Sequence, residues 1–150
     1  MSSSTLVVTA AASIDAAPER VYGILADYRI GHPSILPDQF SDLRVERGGV
    51  GEGTIISFRM RVMGRIQKFR AAITEPEPGR KLVETGLDPN AVVTTFTVAP
   101  GPNPAQSEVT ISTSLPVRTG LLGAIERFLA ARYLRPIYSR ELELLAAAAR

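Results

Sequence analysis

The chain has no cysteine among its 150 residues. That excludes disulfides, thiolate nucleophiles and every cysteine-based metal site. It has a single histidine, His32, so a centre built on several imidazoles does not exist and a metalloenzyme is not expected. A Ser-His-Asp triad would have to use His32, and no nucleophile-elbow pattern accompanies it. No cofactor is expected. Net charge is also scarce: 17 Lys and Arg stand against 15 Asp and Glu, for +2. That is little for a protein whose main partner is nucleic acid, and no nucleic-acid partner is expected. No apolar run approaches the roughly 18 residues of a membrane span. The early segment LVVTAAA contains Thr9 and no basic residue precedes it, so it reads as a strand rather than a secretory signal. With no cysteine and no targeting segment, the expected location is cytoplasmic. Repeats and linkers are missing too, which leaves one domain over residues 1–150 with enough apolar sequence, 45%, for a real core.

What is present begins with a period-two run, Leu6, Val8, Ala10, Ala12 and Ile14, the pattern of a strand. Asp15 can cap a helix, Pro18 suits its first turn, and Glu19 complements its N-terminus. Val21, Ile24, Leu25 and Tyr28 then recur at helical spacing, predicting a helix over 17–27. Residues 28–40, rich in Gly and Pro, read as irregular chain or a second short helix. The period returns to two in DLRVER and in FRMRVMGRIQKFR, residues 58–70. There Phe58, Met60 and Val62 alternate with arginines, and Phe69, Ala71 and Ile73 follow on one face. Ile66 has the wrong parity for that face, so a bulge or a later strand start is expected. KLVETG, AVVTTFTV and EVTISTSL are three more strands, separated by the turns LDPN and APGPNPAQS. A long helix over about 120–148 closes the chain, with Leu122, Ile125, Leu129 and Pro136 close to one stripe, Leu121 and Phe128 at its edge, and the stripe rotating beyond Pro136 to Ile137, Leu144 and Leu145. Pro136 lies inside the helix and is expected to kink it.

One strand, one or two helices, about six consecutive strands and a terminal helix predict an antiparallel meander covered on one face. The arginines of residues 58–70 then point to solvent and the apolar residues toward the terminal helix. In this order the chain resembles the START and polyketide cyclase-like (SRPBCC) superfamily. IDAAPERVYGILADY is similar to that superfamily's early signature, and GGVGEGTIISF to its glycine-rich turn before the third strand. VVTTFTV and the long helix follow in the same order. The resemblance covers about residues 5–148 and implies an α+β helix-grip fold, with a curved antiparallel sheet of about seven strands around the C-terminal helix. It also implies a cavity for a lipid, a polyketide or another small apolar ligand.

A curved sheet and one helix cannot close on each other as tightly as two flat layers, so the gap needs large side chains, water or a guest. The expected sheet walls are Phe58, Met60, Val62, Phe69, Ala71, Phe96 and Val98. The expected helix contribution is Ile125, Phe128, Leu129, Arg132 and Tyr133, the last two offering polar contacts. For any one of these residues ordinary core packing is the simpler reading; the cavity is a claim about the set. Gln67 shares the parity of Phe69. Glu84 faces the cavity if Leu82 does, and His32 in IGHPSILP is a candidate at one end. GGVGEG precedes a strand rather than a helix, so it is a tight turn, with a gate over the cavity mouth as second reading, and not a phosphate loop. The row Arg59, Arg61, Arg65, Lys68 and Arg70 reads as a solvated face; peripheral membrane contact through it is the less favoured reading. Binding of an apolar ligand is the leading expectation. The alternative is an aromatase/cyclase or dehydratase with acid–base help from Tyr133, Glu84 or His32. A third is a cavity-poor interaction module.

Overall fold

The structure is a computed structural model and describes residues 3–89 and 92–150. Asn90 and Ala91, where the expected LDPN turn meets the next strand, lie outside the described residues. The order is β1 (Ser3–Ile14), α1 (Pro18–Ala26), a 3-10 helix (His32–Ile35), β2 (Phe40–Arg47), β3 (Ile55–Val62), β4 (Arg65–Glu77), β5 (Lys81–Gly86), β6 (Val93–Pro100), β7 (Ser107–Arg118) and α2 (Gly120–Ala148). The strands form one antiparallel sheet in the order β1-β7-β6-β5-β4-β3-β2. The fold is α+β and of the helix-grip type. No helix among the described residues is long and apolar enough to cross a membrane.

Period-two patterning sets which residues face inward. Ile56 and Met60 of β3, Ala71 and Ile73 of β4, Phe96 and Val98 of β6, and Val109 and Ile111 of β7 are all buried. The bulge expected at Ile66 is not there. β3 and β4 pair without interruption from Ile55↔Ala72 to Val62↔Arg65, with Ile66 opposite Arg61. Met63, at φ 50°, and Gly64, at φ 82°, turn the chain tightly enough to keep the register. Ile66 simply faces outward at 68% exposure. The register shifts fall elsewhere, within β2–β3 and between Thr74 and Glu77 of β4.

α1 starts at Pro18 with Ala17 as its N-cap residue and no side-chain cap. Asp15 instead accepts a hydrogen bond from Gln106 Nε2, 2.9 Å away. α2 runs as one helix of 29 residues through Pro136. It packs chiefly on β1, β7 and the 3-10 helix, while α1 packs on β6. The helix therefore covers the β1–β7 side of the concave face. The β2–β4 side presents Phe40, Phe58 and Phe69 across the remaining gap.

The link from α1 to β2 is held from several directions. Asp27 Oδ1 accepts from the Arg29 and Ile30 amides. The His32 amide donates to the Asp27 carbonyl at 2.7 Å, and the Tyr28 amide to the Gly49 carbonyl at 2.8 Å. The glycine-rich turn thus docks under this link, and none of residues 48–53 lines the cavity. The gate reading is set aside for that reason. Gly31 is needed for space rather than for its dihedrals: a Cβ there would lie 2.6 Å from the Ile24 carbonyl oxygen. Gly31→Ala should cost about 1–3 kcal/mol of stability in urea unfolding, because backbone must move.

Candidate functional site

Between the sheet and α2 lies a cavity of about 280 Å³, near the lower end of the range for small-molecule sites. One wall is aromatic. Phe58 stacks on Phe69 with ring centroids 5.5 Å apart, and Phe40 meets Phe58 at a tilt, 5.8 Å away. Exposed Gln67 and Pro116 also line the space, so it opens to solvent. Its inner end is polar and buried, and four elements build it.

The 3-10 helix supplies His32, 3% exposed. Its ring stacks on Tyr28, with centroids 4.4 Å apart, and meets Phe96 edge-on at 5.4 Å. Nδ1 lies 2.8 Å from the Leu25 carbonyl oxygen. A carbonyl can only accept, so Nδ1 carries the proton. Nε2 then faces two carboxyl groups, Glu84 Oε2 at 3.6 Å and Glu141 Oε2 at 4.0 Å. Glu84 comes from β5, two residues beyond buried Leu82, and accepts from the Tyr28 hydroxyl at 2.6 Å. Burial, and then the Glu84 charge, hold the Tyr28 phenol well above its usual range.

Glu141 and Tyr138 come from α2. Glu141 is 3% exposed, and its Oε2 has no hydrogen-bond partner. Burial, reinforced by the Glu84 charge, raises its pKa well above 4.5, so Glu141 stays protonated where an ordinary glutamate is ionised. The Tyr138 phenol is pushed up to about 12, first by burial, and accepts from Thr113 Oγ1 at 2.6 Å. The inner end thus places a neutral carboxylic acid, a second carboxyl group and the imidazole Nε2 beside an apolar chamber.

Six of the residues expected to form the sheet wall line this cavity: Phe58, Met60, Val62, Phe69, Ala71 and Phe96. Val98 is buried in the core behind it, at 1% exposure. Gln67, Glu84 and His32 line it as well. The helix side differs from expectation. Ile125, Phe128 and Leu129 are 47%, 63% and 40% exposed and do not reach the cavity. Arg132 and Tyr133 border a separate surface depression, where the Tyr133 hydroxyl donates to the Arg61 carbonyl. The helix contributes Leu134, Tyr138 and Glu141 instead. At 100° per residue, the stripe through Leu121, Ile125 and Phe128 and the stripe through Leu134, Tyr138, Glu141 and Leu145 are about 140° apart. One helix cannot turn both toward the sheet. The available signal for Glu141 was its place in that second stripe, at helical spacing from Leu134, Tyr138 and Leu145. The basic row on β3 and β4 is partly neutralised from β2: Arg70 pairs with Glu46 at 2.7 Å, and Arg59 with Asp42 at 3.7 Å.

With fold and cavity in hand, the chain belongs to the family described as polyketide cyclase / dehydrase and lipid transport, whose model matches residues 5–150. Among the curated proteins, none matches the chain. Several solved structures share its fold. The KanY protein is 25% identical over 97% of this chain and 98% of its own, with a TM-score of 0.84. TTHA0849 from Thermus thermophilus is 18% identical over 95% and 96%, with a TM-score of 0.78. The Zhui aromatase/cyclase from a Streptomyces species is 14% identical over 97% and 94%, with a TM-score of 0.79.

Proposed function

We propose that the protein binds a small, mainly apolar ligand between the sheet and α2, with the ligand's body on the aromatic wall and one polar end at the buried carboxyl groups. The observation that carries this reading is the open chamber of about 280 Å³ lined by Phe58, Met60, Val62 and Phe69. Removing apolar surface from water contributes about 25 cal/mol per Å² and is offset by the cost of association. Membership in a family described by cyclase, dehydrase and lipid-transport activity is consistent with it.

The test is to fill the chamber. Ala71 is 5% exposed and lines it. Ala71→Phe should place a ring inside and weaken the binding of a neutral dye, Nile red, by roughly tenfold or more. The same variant should lose only about 1–3 kcal/mol of stability from overpacking. Equal dye affinity in the two proteins would mean that the dye sits elsewhere.

A second reading, dehydratase or cyclase chemistry, draws on the pairing of protonated Glu141 with the His32 Nε2 lone pair. In a dehydration, His32 would take a carbon-bound proton, the C–O bond would break as C=C forms, and Glu141 would protonate the departing hydroxyl to give water. Tyr133 takes no part in this reading, since its hydroxyl is engaged outside the cavity.

A further inference from the structure

The closed end of the cavity is rich in acceptors and poor in positive charge. The charged or titratable side chains lining the chamber, apart from Tyr138, are His32, Arg70, Glu84, Asp88 and Glu141. The Arg70 guanidinium is turned outward, donating through Nε and Nη2 to Glu46. Among the described residues, the one fixed cation that lines the chamber is therefore already paired with Glu46 and not with Glu84 or Glu141. Glu141 Oε2 is buried and unpartnered, a condition proteins rarely tolerate without a group that arrives later. His32 Nε2 is turned to the same point, because Nδ1 is committed to the Leu25 carbonyl. The Tyr138 oxygen is already taken by Thr113.

From this geometry we infer that the ligand's polar end is a protonated amine, whose N–H groups donate to Glu84 and Glu141 while its apolar body lies on the aromatic wall. An ammonium supplies several donors and the missing countercharge at once. A fatty-acid carboxylate or a phosphate would bring a second negative group against Glu84, beside the neutral Glu141, and meet no unpaired arginine. An alcohol supplies one donor and no charge. In a water-poor chamber these differences are large, because charge-assisted hydrogen bonds are about twice as strong as neutral ones.

The assignment rests on the cavity-binding reading, and a matched series separates the two. Calorimetric titration of the full chain at neutral pH with octylamine, octanol and octanoate keeps the apolar body constant. Octylamine should bind about 10- to 100-fold more tightly than octanol, with octanoate weakest. In Glu84→Gln the advantage of the amine over the alcohol should fall to about threefold or less. Octanol or octanoate matching the amine would overturn the assignment, as would a Glu84→Gln protein that keeps the full preference. If Glu84→Gln does not fold, the ranking in the unaltered protein decides alone. Equal binding of all three leaves the cavity reading standing and removes only the amine. Binding of none removes both.

Discussion

Glu141→Met should raise the stability of the ligand-free protein by about 1–4 kcal/mol at neutral pH, because a buried carboxyl with an unmet oxygen gives way to an apolar side chain of similar shape. The gain should depend on pH in a fixed direction. Glu141 keeps its proton in the folded chain because burial and the Glu84 charge raise its pKa well above 4.5. The unfolded chain loses that proton at the ordinary value. Its contribution is therefore fully present below about pH 4.5 and is lost as pH rises toward the folded pKa, by up to about 1.4 kcal/mol per pH unit. Urea titrations from about pH 5 upward should show the unaltered protein losing ground to the variant until the pH passes the folded pKa. A gap that stays constant over that window would mean that Glu141 ionises in the folded protein much as it does in the unfolded one. The same replacement removes an acceptor from the inner end of the cavity. Stability gained and recognition lost would together mark Glu141 as a residue that serves the site at the expense of the fold.

Phe96→Ala should carry the largest cost, about 3–5 kcal/mol. Phe96 is 2% exposed and stands in a cross-strand row between Leu82 and Ile111. Its ring edge also abuts His32. Removing it takes away an aromatic side chain and joins the space left behind to the existing chamber. Against a typical total of about 5–15 kcal/mol, that is a large fraction. The urea midpoint should fall with little change in slope, since the surface exposed on unfolding is nearly unchanged. Nile red should restore part of the loss by occupying the enlarged space. A cost below about 1 kcal/mol would show that the neighbours collapse into the gap, in which case the wall is softer than its packing implies.

Much of the architecture can be read from local pattern. The alternation of Phe58, Met60 and Val62 with arginines specified both strand and facing, because side chains in a strand alternate strictly. Ile66 shows where such reading goes astray. Its parity suggested a bulge, yet the chain keeps its register and leaves an isoleucine in solvent, which costs less than disrupting a ladder of eight pairs. Glu84 could be tied to Leu82 by parity, and both do point inward. The helix was harder. Its N-terminal half has a conspicuous apolar stripe that periodicity naturally turns toward the sheet. The stripe that reaches the cavity holds a tyrosine and a glutamate, which apolar periodicity does not pick out.

By itself, then, the sequence determined the element types, their order, the facing of the strands and the exclusion of thiolate chemistry, because each depends on residue type and spacing along the chain. Only the tertiary structure decided which side of α2 meets the sheet and that His32, Glu84 and Glu141 converge. Those three residues lie on separate elements, and their meeting depends on how the helix is seated against β1 and β7, which no local period encodes.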